Sequence, residues 1–133
     1  PGGFLGRRVL LCASDVMQRR HQVATLGKSA SLQDIVTGLT KFPLGLVCVV
    51  GEGDAILGVI TDGDVRRTVM EKRYEDSAES MMTRTPVTIR ETDRLARVLE
   101  IMENPRREIY AVPVVNEDDC LVGVVRMHDV LGS

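Results

Sequence analysis

Leu46-Val47-Cys48-Val49-Val50, five intervening residues and then Ile56-Leu57-Gly58-Val59-Ile60 recur further along as Ala111-Val112-Pro113-Val114-Val115, five residues and Leu121-Val122-Gly123-Val124-Val125. Gly58 and Gly123 stand 65 positions apart, and the apolar runs around them read as two copies of one hairpin. Upstream of the first hairpin, Leu32, Ile35, Val36 and Leu39 fall at i, i+3, i+4, i+7; Leu95, Val98, Leu99 and Met102 repeat that spacing before the second. Each set predicts an amphipathic helix. A second helix follows each hairpin, with Val65, Thr68 and Val69 on one face in copy one and Val130 with Leu131 in copy two. Ser14-Asp15-Val16-Met17 and Glu79-Ser80-Met81-Met82 are also 65 apart and predict a short entry helix for each copy. An opening strand is expected at Pro86-Val87-Thr88-Ile89 and, more weakly patterned, around Gln22-Val23-Ala24-Thr25.

The repeated unit is strand, helix, strand, strand, helix, an α+β arrangement, and the charged stretch Glu71-Lys72-Arg73-Tyr74-Glu75-Asp76 is the natural link between copies. A unit of about 55 to 60 residues is marginal alone. The two copies are therefore expected to pack face to face about a pseudo-two-fold axis, which creates paired clefts.

Composition narrows the function classes. At 133 residues, 44% hydrophobic and 27% charged, the chain can bury a real core, which excludes disorder. A net charge of −2 gives no electrostatic grip on nucleic acid or an anionic membrane, and 3% aromatic residues with no Trp argue against base-stacking platforms. No apolar stretch approaches the roughly 20 residues that span a bilayer. Cys12, Cys48 and Cys120 are odd in number and too widely spaced for a paired zinc motif, so a reducing cytoplasm is the expected setting. Cys48 reads as a small core residue and Cys120 as partly exposed beside an acidic turn. Met17, Met81, Met82 and Met102 read as gap-filling core residues.

Gly58-Val59-Ile60-Thr61-Asp62-Gly63-Asp64 carries the pattern Gly, two apolar residues, Thr or Ser, any two, Asp; copy two keeps Gly123-Val124-Val125 and Asp129 but has Arg126 in place of the hydroxyl. From about Ser14 to Leu131 the chain resembles a tandem CBS domain pair, or Bateman module. The stretches Thr61-Asp62-Gly63-Asp64-Val65-Arg66-Arg67, Met82-Thr83-Arg84-Thr85-Pro86 and Met127-His128-Asp129-Val130-Leu131 look more narrowly like the C-terminal part of bacterial arabinose-5-phosphate isomerases. The resemblance implies that residues 1–12 are an entry segment left from an upstream sugar-isomerase (SIS) domain, with CBS repeat 1 over 13–74 and repeat 2 over 75–133. It also implies a regulatory fragment without turnover of its own, from a parent that interconverts ribulose 5-phosphate and arabinose 5-phosphate on the route to lipopolysaccharide. No cofactor is required on this reading. The regulator is expected to be an adenosine nucleotide or a cytidine-linked sugar acid (CMP-Kdo), and the partners the upstream isomerase domain and a second copy in a homodimer or higher oligomer.

Thr61 and Asp64 fall between a strand end and a helix start, where free N–H groups and the helix dipole favour an anion. The resemblance gives the Thr61 hydroxyl a phosphate and the Asp64 carboxylate a ribose; the plainer reading is that Thr61 or Asp62 caps the helix, worth about 1 kcal/mol. Arg126 beside Asp129 is expected to suit a carboxylate or phosphate, the alternative being a solvated Arg at a strand end. His128 joins that ligand set as a cleft or surface residue, because one His beside one Asp supplies too few metal ligands. Asp62, Asp64 and the Glu117-Asp118-Asp119 run lack calcium-loop spacing and read as a helix start and a hairpin turn. Three functions follow: a ligand-sensing module, an enzyme, or a purely oligomerising pair.

Overall fold

A computed structural model of the chain describes residues 10–106 and 109–132. The expected remnant of an upstream domain falls mostly on residues 1–9, outside the described residues. In chain order the elements are α1 (Ala13–Val16), β1 (Gln18–Arg19), β2 (Thr25–Leu26), α2 (Leu32–Lys41), β3 (Leu46–Val50), β4 (Ile56–Thr61), α3 (Asp62–Met70), α4 (Ala78–Met81), β5 (Thr83–Arg84), β6 (Ile89–Arg90), α5 (Leu95–Met102), β7 (Ala111–Val115), β8 (Leu121–Arg126) and α6 (Met127–Leu131). The fold is α+β, with two four-stranded sheets ordered β2-β3-β4-β5 and β1-β8-β7-β6.

The hairpins form where the alternating apolar runs place them. Leu46 pairs with Thr61 in one and Ala111 with Arg126 in the other, and both slip register at the same step, Val49/Val50 and Val114/Val115. β3 is an almost unbroken apolar run because both its faces are covered. Alternation sends Val49, with Ile60 of β4, into a cluster under the helices with Ile35, while Leu46 and Cys48 enter a cluster with Leu121 and Val124 of the other copy. That shared cluster holds the copies together, and burial there pushes the Cys48 thiol up to about 12 despite the nearby Arg20, so it stays protonated and unreactive at neutral pH.

The entry segments are exchanged between copies. α1 packs beside Ile89, Val98 and Met102, and β1 pairs antiparallel with β8; α4 packs beside Ile35, Val49 and Ile60, and β5 pairs with β4. Each sheet thus takes its edge strand from the segment that leads into the other copy. The crossing explains the glycines of the repeat: a Cβ on Gly58 would stand 2.7 Å from the Thr83 carbonyl oxygen, and one on Gly123 would overlap the Gln18 carbonyl.

Four expectations need correction, the first being Leu131, which is 57% exposed because it follows directly on Val130, the residue of α6 that enters the core. The opening strands are only two residues long and start later, at Thr25 and Ile89, because pairing parallel to β3 and β7 begins there. Val36 is 44% exposed, so α2 buries a narrower stripe than α5 does. In α3 the inward residues are Asp64, Val65 and Thr68, whereas Val69 is 42% exposed; Thr68 fits because its hydroxyl donates to the Asp64 carbonyl at 2.8 Å. Met81, Met82 and Met102 are buried and Met17 packs against the second copy's cluster, while Glu117-Asp118-Asp119 forms the hairpin turn, bonded to the Asn116 side chain.

Candidate functional site

A cleft of about 660 Å³ opens between the copies. Copy one contributes the entry to β3 (Leu44, Gly45, Leu46), Val59 and the β4–α3 junction (Thr61, Asp62, Gly63); copy two contributes Thr83, Pro86, Val87, Ile109, Tyr110, Ala111 and Pro113. Strand alternation sets this arrangement: Ile60 faces inward under the helices, so Val59 and Thr61 face the cleft. The walls are mainly apolar, and the polar groups gather at the start of α3, where unpaired N–H groups and the helix dipole favour a single anionic group.

Thr61 is the N-cap of α3. Its backbone N–H donates to Asp64 Oδ2 at 2.9 Å, its hydroxyl donates to the same oxygen at 3.1 Å, and the other carboxylate oxygen, Oδ1, accepts from Arg67 Nη2 at 2.5 Å. Asp64 is 9% exposed, but the Arg67 side chain that holds it is 55% exposed. An ion pair with so exposed a partner is worth at most about 1 kcal/mol, so a ligand hydroxyl competes for Oδ1 at small cost.

Register maps copy two onto copy one residue by residue. Val59 pairs with Thr83 as Val124 pairs with Gln18, which puts Arg126 where Thr61 stands and Gln18 where Thr83 stands. Here the carboxylate is held differently. Asp129 Oδ2 accepts from the Arg126 backbone N–H at 2.9 Å and from Nε at 3.1 Å; Oδ1 accepts from Arg126 Nη2 at 2.7 Å and from Gln18 Nε2 at 3.1 Å. The Asp129 side chain is 8% exposed. Burial pushes its carboxyl up, but the Arg126 hydrogen bonds and charge, helped by Gln18, hold it below the ordinary carboxylate value; Asp129 in turn raises Arg126.

Arg126, His128 and Asp129 therefore do not join Thr61 around one cavity: the 660 Å³ cleft is lined by Thr61 and by none of these three. Asp64 lies one layer behind Thr61, bonded to it. The i,i+3 spacing of Arg126 and Asp129 was the signal that the guanidinium turns onto its own helix start. Tyr110 on the cleft wall, 68% exposed, was not singled out from sequence, and only its place beside β7 brings it there.

The depressed Asp129 value sets a pH dependence. A carboxylate whose folded pKa lies below its unfolded one contributes stability that is complete above the ordinary carboxylate range and is lost as pH falls through the folded value. Melting followed by circular dichroism from about pH 6 to about pH 3 is expected to fall steeply at the acid end in wild type and less steeply in Asp129→Asn. Parallel curves would show that the Arg126 pair carries none of the acid sensitivity.

The CBS domain model matches residues 13–71 and 78–133, and the chain belongs to this family of paired repeats. Along nearly its whole length it is similar to arabinose 5-phosphate isomerases. It is 36% identical over 133 residues to KdsD of Yersinia pestis, covering 98% of this chain and 40% of that protein, and 38% identical over 134 residues to KpsF of Escherichia coli, covering 97% and 39%. The chain thus spans about 40% of the length of these relatives. Among solved structures, a CBS domain-containing protein of Bacillus anthracis superposes with a TM-score of 0.83 at 18% identity, covering 95% of this chain and 94% of that one. CBSX2 in complex with AMP superposes at 0.78 and 20% identity, covering 91% and 93%. The CBS pair of MJ0100 in complex with 5-methylthioadenosine and S-adenosylmethionine does so at 0.79 and 23%, covering 90% and 92%. These three likenesses establish the fold.

Proposed function

We propose that this chain is the ligand-sensing regulatory CBS pair of a sugar-phosphate isomerase that acts on arabinose 5-phosphate, and that it binds a nucleotide in the cleft at Thr61. The observation that carries this reading is the 660 Å³ cleft itself, apolar along its walls, with one capped helix start at its polar end. The first amides of α3, and the Thr61 hydroxyl once its proton turns from Asp64 Oδ2, take the phosphate, and Asp64 takes the ribose hydroxyls once Arg67 swings aside. No Lys or Arg is among the described lining residues, and Asp62 brings a negative charge. That lining favours an adenosine nucleotide with one phosphate over a cytidine-linked sugar acid, which carries a phosphate and a carboxylate. The AMP and adenosyl ligands of CBSX2 and MJ0100 support testing adenosine compounds first. On this reading the chain has no turnover of its own, works in the cytoplasm joined to its isomerase domain, and acts as a homodimer.

The test is a melting shift. A ligand bound only to the folded state at a hundred times its Kd adds about 2.7 kcal/mol. AMP is expected to raise the melting temperature, the cytidine-linked sugar acid to raise it less, and Thr61→Val to weaken AMP about fivefold, through loss of a hydrogen bond worth roughly 1 kcal/mol. A wild-type melt unmoved by every one of these ligands, with the protein still dimeric in sedimentation, would leave the oligomerising role in place of sensing.

A further inference from the structure

The two copies share register, hairpin length and capping position, yet they differ at the point where a ligand would enter. We infer that the second cleft is closed by its own side chains, an Arg126–Asp129–Gln18 latch, so that each chain takes a single ligand, in the cleft at Thr61. The inference rests on the sensing reading above and fixes its stoichiometry.

The two carboxylates differ in how they are occupied. In both copies one carboxylate oxygen closes the cap, and the copies differ at the other: Asp64 Oδ1 is held by one arginine that is 55% exposed and comes from the next turn of α3, away from the cleft lining. Asp129 Oδ1 is held by both Arg126 Nη2 and Gln18 Nε2, with Arg126 Nε and its backbone N–H on Oδ2. Those donors sit at the positions related to Thr61 and Thr83, both of which line the open cleft. Copy two therefore holds both of its carboxylate oxygens from cleft-wall positions, and a ribose hydroxyl would have to displace a bidentate guanidinium and an amide together.

The two copies also differ in space and charge. Thr61 and Gly63 leave the open cleft small side chains at its polar end, whereas the related positions carry Arg126 and His128. The guanidinium neutralises Asp129 and acts as a tethered cation on a carboxylate that is 8% exposed, where hydrogen-bonded charge pairs hold more strongly than at the surface. Gln18 locks the other side, and because β1 belongs to the segment leading into copy one, the latch also ties the exchanged strand to the start of α6.

Isothermal titration of the whole chain with AMP as the probe separates the outcomes. Wild type is expected to take one AMP per chain. Arg126→Thr supplies the hydroxyl that Thr61 supplies in copy one and is expected to take two, while Thr61→Arg builds the guanidinium into copy one and is expected to lose the wild-type site. Both variants are checked for a cooperative melt. Two sites in wild type, or one site persisting in folded Arg126→Thr, would overturn the latch. Binding to Arg126→Thr but not to wild type would uphold the latch and overturn the reading at Thr61; no binding to either would overturn both. A ligand-independent readout is the Asp129 carboxyl followed by NMR through an acid titration. Its midpoint is expected to rise in Arg126→Thr, and an unchanged midpoint would show that the guanidinium is not what holds that carboxylate.

Discussion

Gly123→Ala is expected to lower the melting temperature by on the order of 10 °C, from overpacking that costs about 3 kcal/mol. The added methyl has nowhere to go. It would overlap the backbone carbonyl of Gln18 and lie 2.7 Å from the Met17 sulfur, and the carbonyl cannot turn aside because β1 is fixed against β8 on both sides of it, Gln18 pairing with Val124 and Arg19 with Gly123. Gly58→Ala meets the Thr83 carbonyl oxygen and the Met82 sulfur at 2.7 Å and is expected to lose nearly as much. Gly38→Ala is the control. Its methyl meets the side-chain carbons Ala24 Cβ and Val47 Cγ2, both at 3.3 Å, which must give by a fraction of an ångström, and that strain is set against about 1 kcal/mol of helix propensity gained within α2. Calorimetric melts that place Gly123→Ala level with Gly38→Ala would mean that the crossing strand does not run where the structure puts it.

The crossing was the part of the fold least legible in the sequence, and the reason is physical. Periodicity needs length: β3, β4, β7 and β8 run five or six residues with buried faces and declare themselves, whereas Gln18–Arg19 and Thr83–Arg84 are two polar residues each. What the sequence did hold was a mark on the partner strand. Gly58 and Gly123 sit inside strands without being turns, and a mid-strand glycine signals close approach of another backbone. The entry helices were legible by the same 65-residue offset, but their exchange between copies was not, since an offset says which segments are alike and nothing about which they touch.

The site divides the same way. The link from Thr61 to Asp64 follows from capping chemistry, because an N-cap hydroxyl and a carboxylate three residues on satisfy each other's backbone amides. Arg126 and Asp129 have the same spacing, and the second copy was expected to be an anion pocket because a guanidinium seeks anions. The anion it found is its own N3 carboxylate. A side chain that can reach inward or outward is decided by what neighbours it, here Gln18, which lies 111 residues from Asp129 in sequence.

Ile60→Ala is expected to be comparably severe, by the opposite mechanism. Ile60 is 0% exposed and packs in the cluster with Ile35, Val49, Met81 and Met82, so truncation removes buried carbon and leaves a cavity, at about 2 to 5 kcal/mol. Met81 and Met82 can move partly into the space, which places the loss toward the lower half of that range. Val69→Ala, on a side chain 42% exposed, is expected to cost under about 0.5 kcal/mol, and urea titration of both variants checks the difference. Equal midpoints would mean that β4 does not bury the face assigned to it. The consequence reaches the cleft, because Ile60 holds the inner face of β4 while Val59 and Thr61 present the outer one. A variant that stays folded should keep Thr61 bonded to Asp64 and bind AMP nearly as wild type does, since the cap is closed by atoms of α3 and the strand end rather than by the cluster beneath. Stability lost with affinity retained would then separate the residues that build the platform from those that use it.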